Sequence, residues 1–241
     1  MTVHVERRWP HVGVVTIDRP ERRNALDLET LEKLHAAITF ADVRVLVLRG
    51  AAGHFCSGAD LNAVEDERFA ALLRSVLLAL RNAPFPTLAA IEGAALGAGT
   101  QLAIACDLRT AEPDASFGIP AARLGLMVDQ WTVQRLASIA GQGPARAMLL
   151  AADVLTGKDA YRLGLAQRRC TVDEALTWAD EIAEKAPLTI AGHKLMLNNL
   201  EVPVATTPDV AAAHMAAWAS EDFAEGLAAF RARRSPEFRG R

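Results

Sequence analysis

The sequence predicts an α/β protein, a spiral of β-β-α turns followed by a C-terminal helical region. Three observations predict it. Short apolar or β-branched runs alternate with stretches of helical periodicity through the first half of the chain. Glycine-bearing turns stand just past the ends of two of those runs, where α/β proteins place ligand sites. From about Trp131 onward the apolar spacing is helical.

Val12–Ile17 is a β-branched strand that runs into the cation-dense turn Asp18-Arg19-Pro20-Glu21-Arg22-Arg23-Asn24-Ala25-Leu26. Leu28, Leu31, Leu34 and Ile38 then recur at helical spacing, which predicts a helix from about Asp27 to Phe40. Val43–Leu48 is the next buried strand, and the turn Gly53–Leu61 follows it. Glu65–Asn82 is a second amphipathic helix, closed by Pro84 and Pro86. Leu88–Ile91 is a strand, followed by a turn with Gly93, Gly97 and Gly99 and a short apolar helix ending near Asp107. Leu108–Ala111 and the turn at Phe117–Pro120 continue the alternation. Thr156-x-x-Asp159 and Thr171-x-x-Glu174 read as capping boxes that open helices. Val210–Phe230 reads as paired helices, and Arg231, Arg233, Arg234, Arg239 and Arg241 make the tail basic.

Composition narrows the function. The 241 residues suffice for one sizeable core or a core with a small appendage. A net charge of −3 argues against a general nucleic-acid footprint. Cys56, Cys106 and Cys170 form no C-x-x-C pair, so neither a disulfide framework nor a zinc site is expected. The six histidines, His4, His11, His35, His54, His193 and His214, show no i,i+4 pairing or H-E-x-x-H, so no metal is expected. No run approaches the ~20 apolar residues of a membrane span, and no signal-type apolar region opens the chain. The expectation is a soluble cytoplasmic protein.

The glycine turn at Gly97–Gly99 fits no phosphate-binding fingerprint. The last glycine of G-x-G-x-x-G would fall on Leu102, and no Gly-Lys-Ser/Thr follows. Free N–H groups at a strand-to-helix turn instead suit a developing negative charge, although a turn needed only for packing has the same look. The turns around Gly58 and Gly97–Gly99 each follow a strand of what should be one sheet. Two N–H groups converging from them would grip one carbonyl oxygen.

In this order, the motifs Arg19-Pro-Glu-Arg-Arg-Asn-Ala-Leu26, Phe55-Cys-Ser-Gly-Ala-Asp-Leu61, Gly93-Ala-Ala-Leu-Gly-Ala-Gly99, Cys106-Asp-Leu-Arg109, Phe117-Gly118, Gln134-Arg-Leu136 and Glu225-Gly-Leu-Ala-Ala-Phe230 resemble the crotonase (enoyl-CoA hydratase/isomerase) superfamily. The resemblance covers essentially the whole chain. It implies a crotonase-like spiral core over residues 1–185 and a helical trimerisation region over 186–241, assembled as a homotrimer or hexamer. It also implies an acyl-CoA ligand, with coenzyme A as part of that ligand and no separate cofactor.

Carried over by position, the family's two oxyanion donors fall on the backbone N–H groups of Ala59 and Ala98. The CoA contacts fall on Arg22, Arg23, Ala25, Ser57, Asp60 and Leu61, with Phe230 and Arg233 near the tail. Arginines suit phosphates through planar, charge-assisted bonds. An ordinary solvated turn and a basic terminal helix are the alternatives for these cations.

The departures carry most weight. The family's two hydratase glutamates fall on Gln101 and Ala121, neither of which transfers a proton near neutral pH. Asp129, on a turn where some members carry a third carboxylate, is the remaining candidate acid. Its alternative is an N-cap for the helix that follows. Trp131 reads as acyl-pocket wall or core, and Cys56 as packing. The expected function is acyl-CoA binding without efficient hydration, in fatty-acid metabolism. The alternatives are an isomerase or weak hydratase working through Asp129, and a regulatory subunit with a vestigial site.

Overall fold

A computed structural model describes residues 2–8, 11–39, 41–200, 212, 215–216 and 218–237. Phe40, Val210, His214, Arg239 and Arg241 lie outside them, as does most of the first half of the expected helix pair at Val210–Phe230.

The elements in chain order are β1 (Val3–Arg8), β2 (Val12–Ile17), α1 (Leu28–Thr39), β3 (Val45–Gly50), α2 (Glu67–Asn82), β4 (Thr87–Ile91), β5 (Ala94–Leu96), α3 (Ala98–Ala105), β6 (Leu108–Ala111) and β7 (Ser116–Gly118). Then come α4 (Gln130–Ala140), α5 (Gln142–Leu150), β8 (Val154–Thr156), α6 (Gly157–Arg162), β9 (Arg168–Arg169), α7 (Val172–Ala183), α8 (Pro187–Asn199) and α9 (Glu221–Ala232). The chain is α/β, with helices dominating its C-terminal part. Six strands make one sheet in the order β1-β2-β3-β4-β6-β9, and a smaller sheet runs β5-β7-β8. The large sheet is parallel except for β1, which pairs antiparallel to β2.

The chain divides into two compact units. The first comprises Met1–Phe117 and Leu155–Glu201 and carries the large sheet. On one sheet face Val12, Val14, Val45, Val47, Leu88 and Ala90 pack against Ala175, Leu176, Ala179 and Ala183 of α7. Strands covered on both faces read as unbroken apolar runs, which is why β3 and β4 were plain in the sequence.

Two buried cations tie this unit together. Arg109 is 2 % exposed. Its guanidinium donates to the carbonyls of Leu165, Ala103, Cys106 and Asp107 and to Oε1 of Gln167. Lys194 of α8 donates to the carbonyls of Leu80 and Phe85 and meets Asp107 Oδ2 at 2.7 Å.

Several elements differ from expectation. β1 was missed because only Val3 of VHVERR is buried, so the strand lacks an apolar pattern. β3 starts at Val45, two residues later than expected, since Arg44 N–H donates to His11 O in a bend. β5 occupies what looked like one glycine turn. β8 and β9 interrupt the helical run and are too short to leave a pattern. Thr171 and Glu174 complete their capping box, whereas Asp159 bonds the Thr156 hydroxyl while Thr156 alone caps α6.

The second unit comprises Gly118–Val154 and Val202–Arg241. It holds a 3-10 turn at Pro120–Leu124, α4, α5 and α9. Trp218 Nε1 donates to Met127 O at 3.2 Å, which pins the segment leading into α4. Helix α9 crosses the 3-10 turn at Gly226, where a Cβ would lie 2.4 Å from Leu124 O. A backbone carbonyl there has little room to yield. Gly226→Ala is therefore expected to destabilise the protein by about 1–3 kcal/mol, as overpacking does, despite alanine's better helix propensity. Chemical denaturation of the two proteins measures it. No helix among the described residues is long and apolar enough to cross a membrane.

Candidate functional site

The site is built first around Ala59. Leu26 brackets this residue on both sides: Leu26 N–H donates to Gly58 O at 2.8 Å, and Asp60 N–H donates to Leu26 O at 2.7 Å. This isolated parallel bridge turns the Ala59 N–H away from Leu26. Among the described residues that N–H has no acceptor.

The second donor sits at the start of α3. Gly97 takes φ +53 as N-cap, and Ala98 is the first helical residue. A helix start leaves its first N–H groups unbonded, and that of Ala98 has no acceptor among the described residues.

The two turns are laced together. Cys56 N–H donates to Ala94 O at 2.8 Å, and Leu96 N–H returns to Cys56 O at 3.0 Å. Gly99 permits this approach, since a Cβ there would come 2.1 Å from Cys56 O. A Cβ on Gly58 would lie 3.9 Å from the Ala98 nitrogen. The structure thus brings the two glycine turns next to each other. A carbonyl oxygen reaching both would find preorganised backbone dipoles beside a helix N-terminus.

Gln101 lies on the first turn of α3, where every residue is buried, and its own N–H donates to Gly97 O at 3.1 Å. Its carboxamide does not titrate near neutral pH. Cys56 is fully buried, and desolvation pushes its thiol up to about 12, leaving it protonated and unreactive at neutral pH. His54 accepts from Ala94 N–H through Nδ1 at 3.3 Å, which makes it a structural histidine. No cluster of three metal-ligating side chains occurs among the described residues.

The cationic turn meets the same loop. Arg22 and Arg23 are exposed, with Arg23 in the left-handed region at φ 48. Their carbonyls accept from the Ser57 side chain and the Ser57 N–H. Ala25 is buried and Leu61 half-buried. Asp60 is occupied: Oδ2 meets Arg19 at 3.2 Å and Oδ1 accepts from Asn62 N–H.

In the second unit Ala121 is the second residue of the 3-10 turn, and its carbonyl accepts from Leu126 N–H. Asp129 is the N-cap of α4, with Oδ1 accepting from Thr132 N–H at 3.0 Å. Trp131 is half-buried in the first turn of α4. Phe230 is 59 % exposed on α9, and Arg233 closes α9 in the left-handed conformation.

Sequence reasoning gave no role to Asn24 or Arg19. Asn24 is fully buried at φ 59. Its Nδ2 donates to Ala51 O and His54 O, and its Oδ1 accepts from Arg19 N–H. An asparagine between a cationic turn and an Ala-Leu pair was the available signal, since asparagine tolerates positive φ while bonding backbone.

Residues 8–241 match a family model described as enoyl-CoA hydratase/isomerase. The chain is 42% identical over 236 residues to the probable enoyl-CoA hydratase echA6 of Mycobacterium tuberculosis, covering 95% of this chain and 96% of that protein. It is 34% identical over 256 residues to the 2,3-dehydroadipyl-CoA hydratase of Escherichia coli, across the full length of both. The crystal structure of an enoyl-CoA hydratase/isomerase from Pseudoalteromonas atlantica matches with TM-score 0.86 at 26% identity, over 99% of this chain and 100% of the other.

Proposed function

The chain belongs to the enoyl-CoA hydratase/isomerase family, and from that premise we propose that it binds fatty acyl-CoA thioesters in a backbone cradle without hydrating them efficiently. The observation that carries this reading is an amide on α3, Gln101, beside two unbonded N–H donors on adjacent turns. The thioester carbonyl would accept from Ala59 and Ala98, each donor worth about 3–4 kcal/mol to charge on that oxygen. Because both contacts are made by backbone, alanine at 98 leaves the donor in place. The exposed Arg22 and Arg23, with Ala25, Ser57 and Leu61 on the same turns, would take the phosphate and adenine end of CoA. In the second unit the family resemblance assigns Phe230 and Arg233 to CoA and Trp131 to the acyl chain.

Hydration needs a base for water and an acid for Cα, each worth roughly 10²–10⁴-fold. Gln101 and Ala121 supply neither. A cradle that polarises a carbonyl, with an amide at 101 and a methyl at 121, suits a carrier or presenter of acyl chains. Asp129 as an isomerase acid is the competing reading, and its N-cap bond to Thr132 weighs against it. Assembly as a trimer or hexamer through residues 186–241, in the cytoplasm, belongs to the same proposal.

The test follows conjugated-thioester absorbance with crotonyl-CoA and longer 2- and 3-enoyl-CoAs, wild type beside Asp129→Ala. Near-background turnover in both, with saturable acyl-CoA binding by calorimetry on the same preparations, is the expected outcome. Clear wild-type turnover that vanishes in Asp129→Ala would establish an isomerase or one-acid hydratase instead.

A further inference from the structure

We infer that Arg19 is a positioning residue for this cradle: by gripping Asp60 and the Ala25 carbonyl it fixes the direction of the Ala59 N–H. The inference rests on the cradle reading proposed above and deepens it.

The direction of that N–H depends on what anchors Leu26 and Asp60. Gly58 takes φ +118, a conformation in which glycine moves freely. The Gly58–Ala59 peptide has one direct hold, Gly58 O accepting from Leu26 N–H at 2.8 Å, so the Ala59 N–H points where the placement of Leu26 directs it. A displacement of Leu26, or of Asp60 whose N–H donates to Leu26 O at 2.7 Å, would carry that peptide with it and swing the N–H.

Arg19 closes that freedom. One guanidinium nitrogen donates to Ala25 O at 2.5 Å. The other meets Asp60 Oδ2 at 3.2 Å and Asp27 Oδ2 at 3.0 Å. Ala25 precedes the bracketing Leu26, and Asp60 follows Ala59, so one side chain holds both arms of the bridge. Its base is firm at both ends. Asp27 Oδ1 accepts from Thr30 N–H at the start of α1. The Arg19 N–H is itself held by the buried Asn24.

The side chains of Arg19 and Asp60 are only 12% and 14% exposed. The interaction is thus less screened than the surface pairs that contribute little. At Asp27 burial works against ionisation, yet the Thr30 bonds and the Arg19 charge still hold its carboxyl below the ordinary value. A planar fork serves three acceptors in fixed directions, which a lysine point charge does not. Asp60, expected from the family resemblance among the CoA contacts, acts here through Arg19 on its neighbour.

The probe is octanoyl-CoA labelled with ¹³C at the thioester carbonyl, a saturated ligand that no hydratase turns over. Difference infrared spectra of the full-length protein read the carbonyl stretch, and calorimetry reads affinity for octanoyl-CoA and for free CoA. The wild-type stretch is expected to fall in frequency on binding. Arg19→Met and Arg19→Lys are expected to lose most of that shift and to bind octanoyl-CoA about tenfold more weakly, with free-CoA affinity little changed. A folded Arg19→Met protein with the full shift overturns the inference. Should Arg19→Met fail to melt cooperatively, Asp60→Asn keeps the shape and removes one charge. A partial loss of shift in that variant supports the clamp, and an undiminished shift overturns it. A wild-type protein that binds octanoyl-CoA with no shift removes the cradle itself, and the clamp with it. Failure of the variants alone removes only the clamp.

Discussion

Installing Gln101→Glu and Ala121→Glu together is expected to raise enoyl-CoA hydration by at least about 10²-fold over the wild type, while either change alone gives little. Each proton-transfer group contributes roughly 10²–10⁴-fold, and groups that act in concert are strongly non-additive. On the proposed reading, a single restored carboxylate would leave one of hydration's two proton transfers without a group to make it. The α3 N-terminus lies one turn from position 101, so the helix dipole favours a carboxylate there. The rate of loss of crotonyl-CoA absorbance measures the effect. A folded double variant that binds acyl-CoA yet stays at wild-type turnover would show that more than two side chains separate this chain from hydration.

Lys194→Ala is expected to cost about 3–5 kcal/mol, the loss usual when one partner of a buried ion pair is removed. The substitution leaves Asp107 Oδ2 short of its cation at 2.7 Å and strips a donor from the Leu80 and Phe85 carbonyls. It also releases one of the polar ties between α8 and the α2–β4 corner, leaving the reciprocal bonds of Arg81 and Asn198. At this chain length the loss corresponds to a melting temperature lower by roughly 6–20 °C. Thermal unfolding followed by circular dichroism checks it, and a shift of only a degree or two would mean that water replaces the ammonium at little cost.

The parts of the fold that were legible are those whose burial repeats with the period of their backbone. β2, β4, α1 and α2 were visible because one face or both faces are mostly apolar. Lys194 was invisible for the opposite reason. Helix α8 is apolar on all sides, with Leu188 at 88 % and Leu195 at 63 % exposed, so pattern would bury the leucines and expose the lysine. At the site, both glycine turns could be read, because close backbone approach demands glycine at Gly99. Arg19 and Asn24 were hidden because each bonds backbone or side chains across a loop, and no periodicity records such contacts. The placement of Asp129 as N-cap was weighed from its position before a helix, and the Thr132 bond accords with it.

The order in which the large sheet is covered has a consequence for the chain during its synthesis. The face formed by Val12, Val14, Val45, Val47, Leu88 and Ala90 is complete once β4 is made, yet its cover comes from α7, ending at Ala183. The β6 edge likewise waits for Arg168 and Arg169. About ninety residues separate Ala90 from Ala183, and ribosomes add roughly 5–20 residues per second. For about 5–20 s every nascent copy therefore carries an uncovered apolar sheet face, and for a bit more than half as long an unpaired strand edge, both templates for aggregation. The yield of this protein in a cell depends on what shelters that surface in those seconds as well as on the stability of the finished fold.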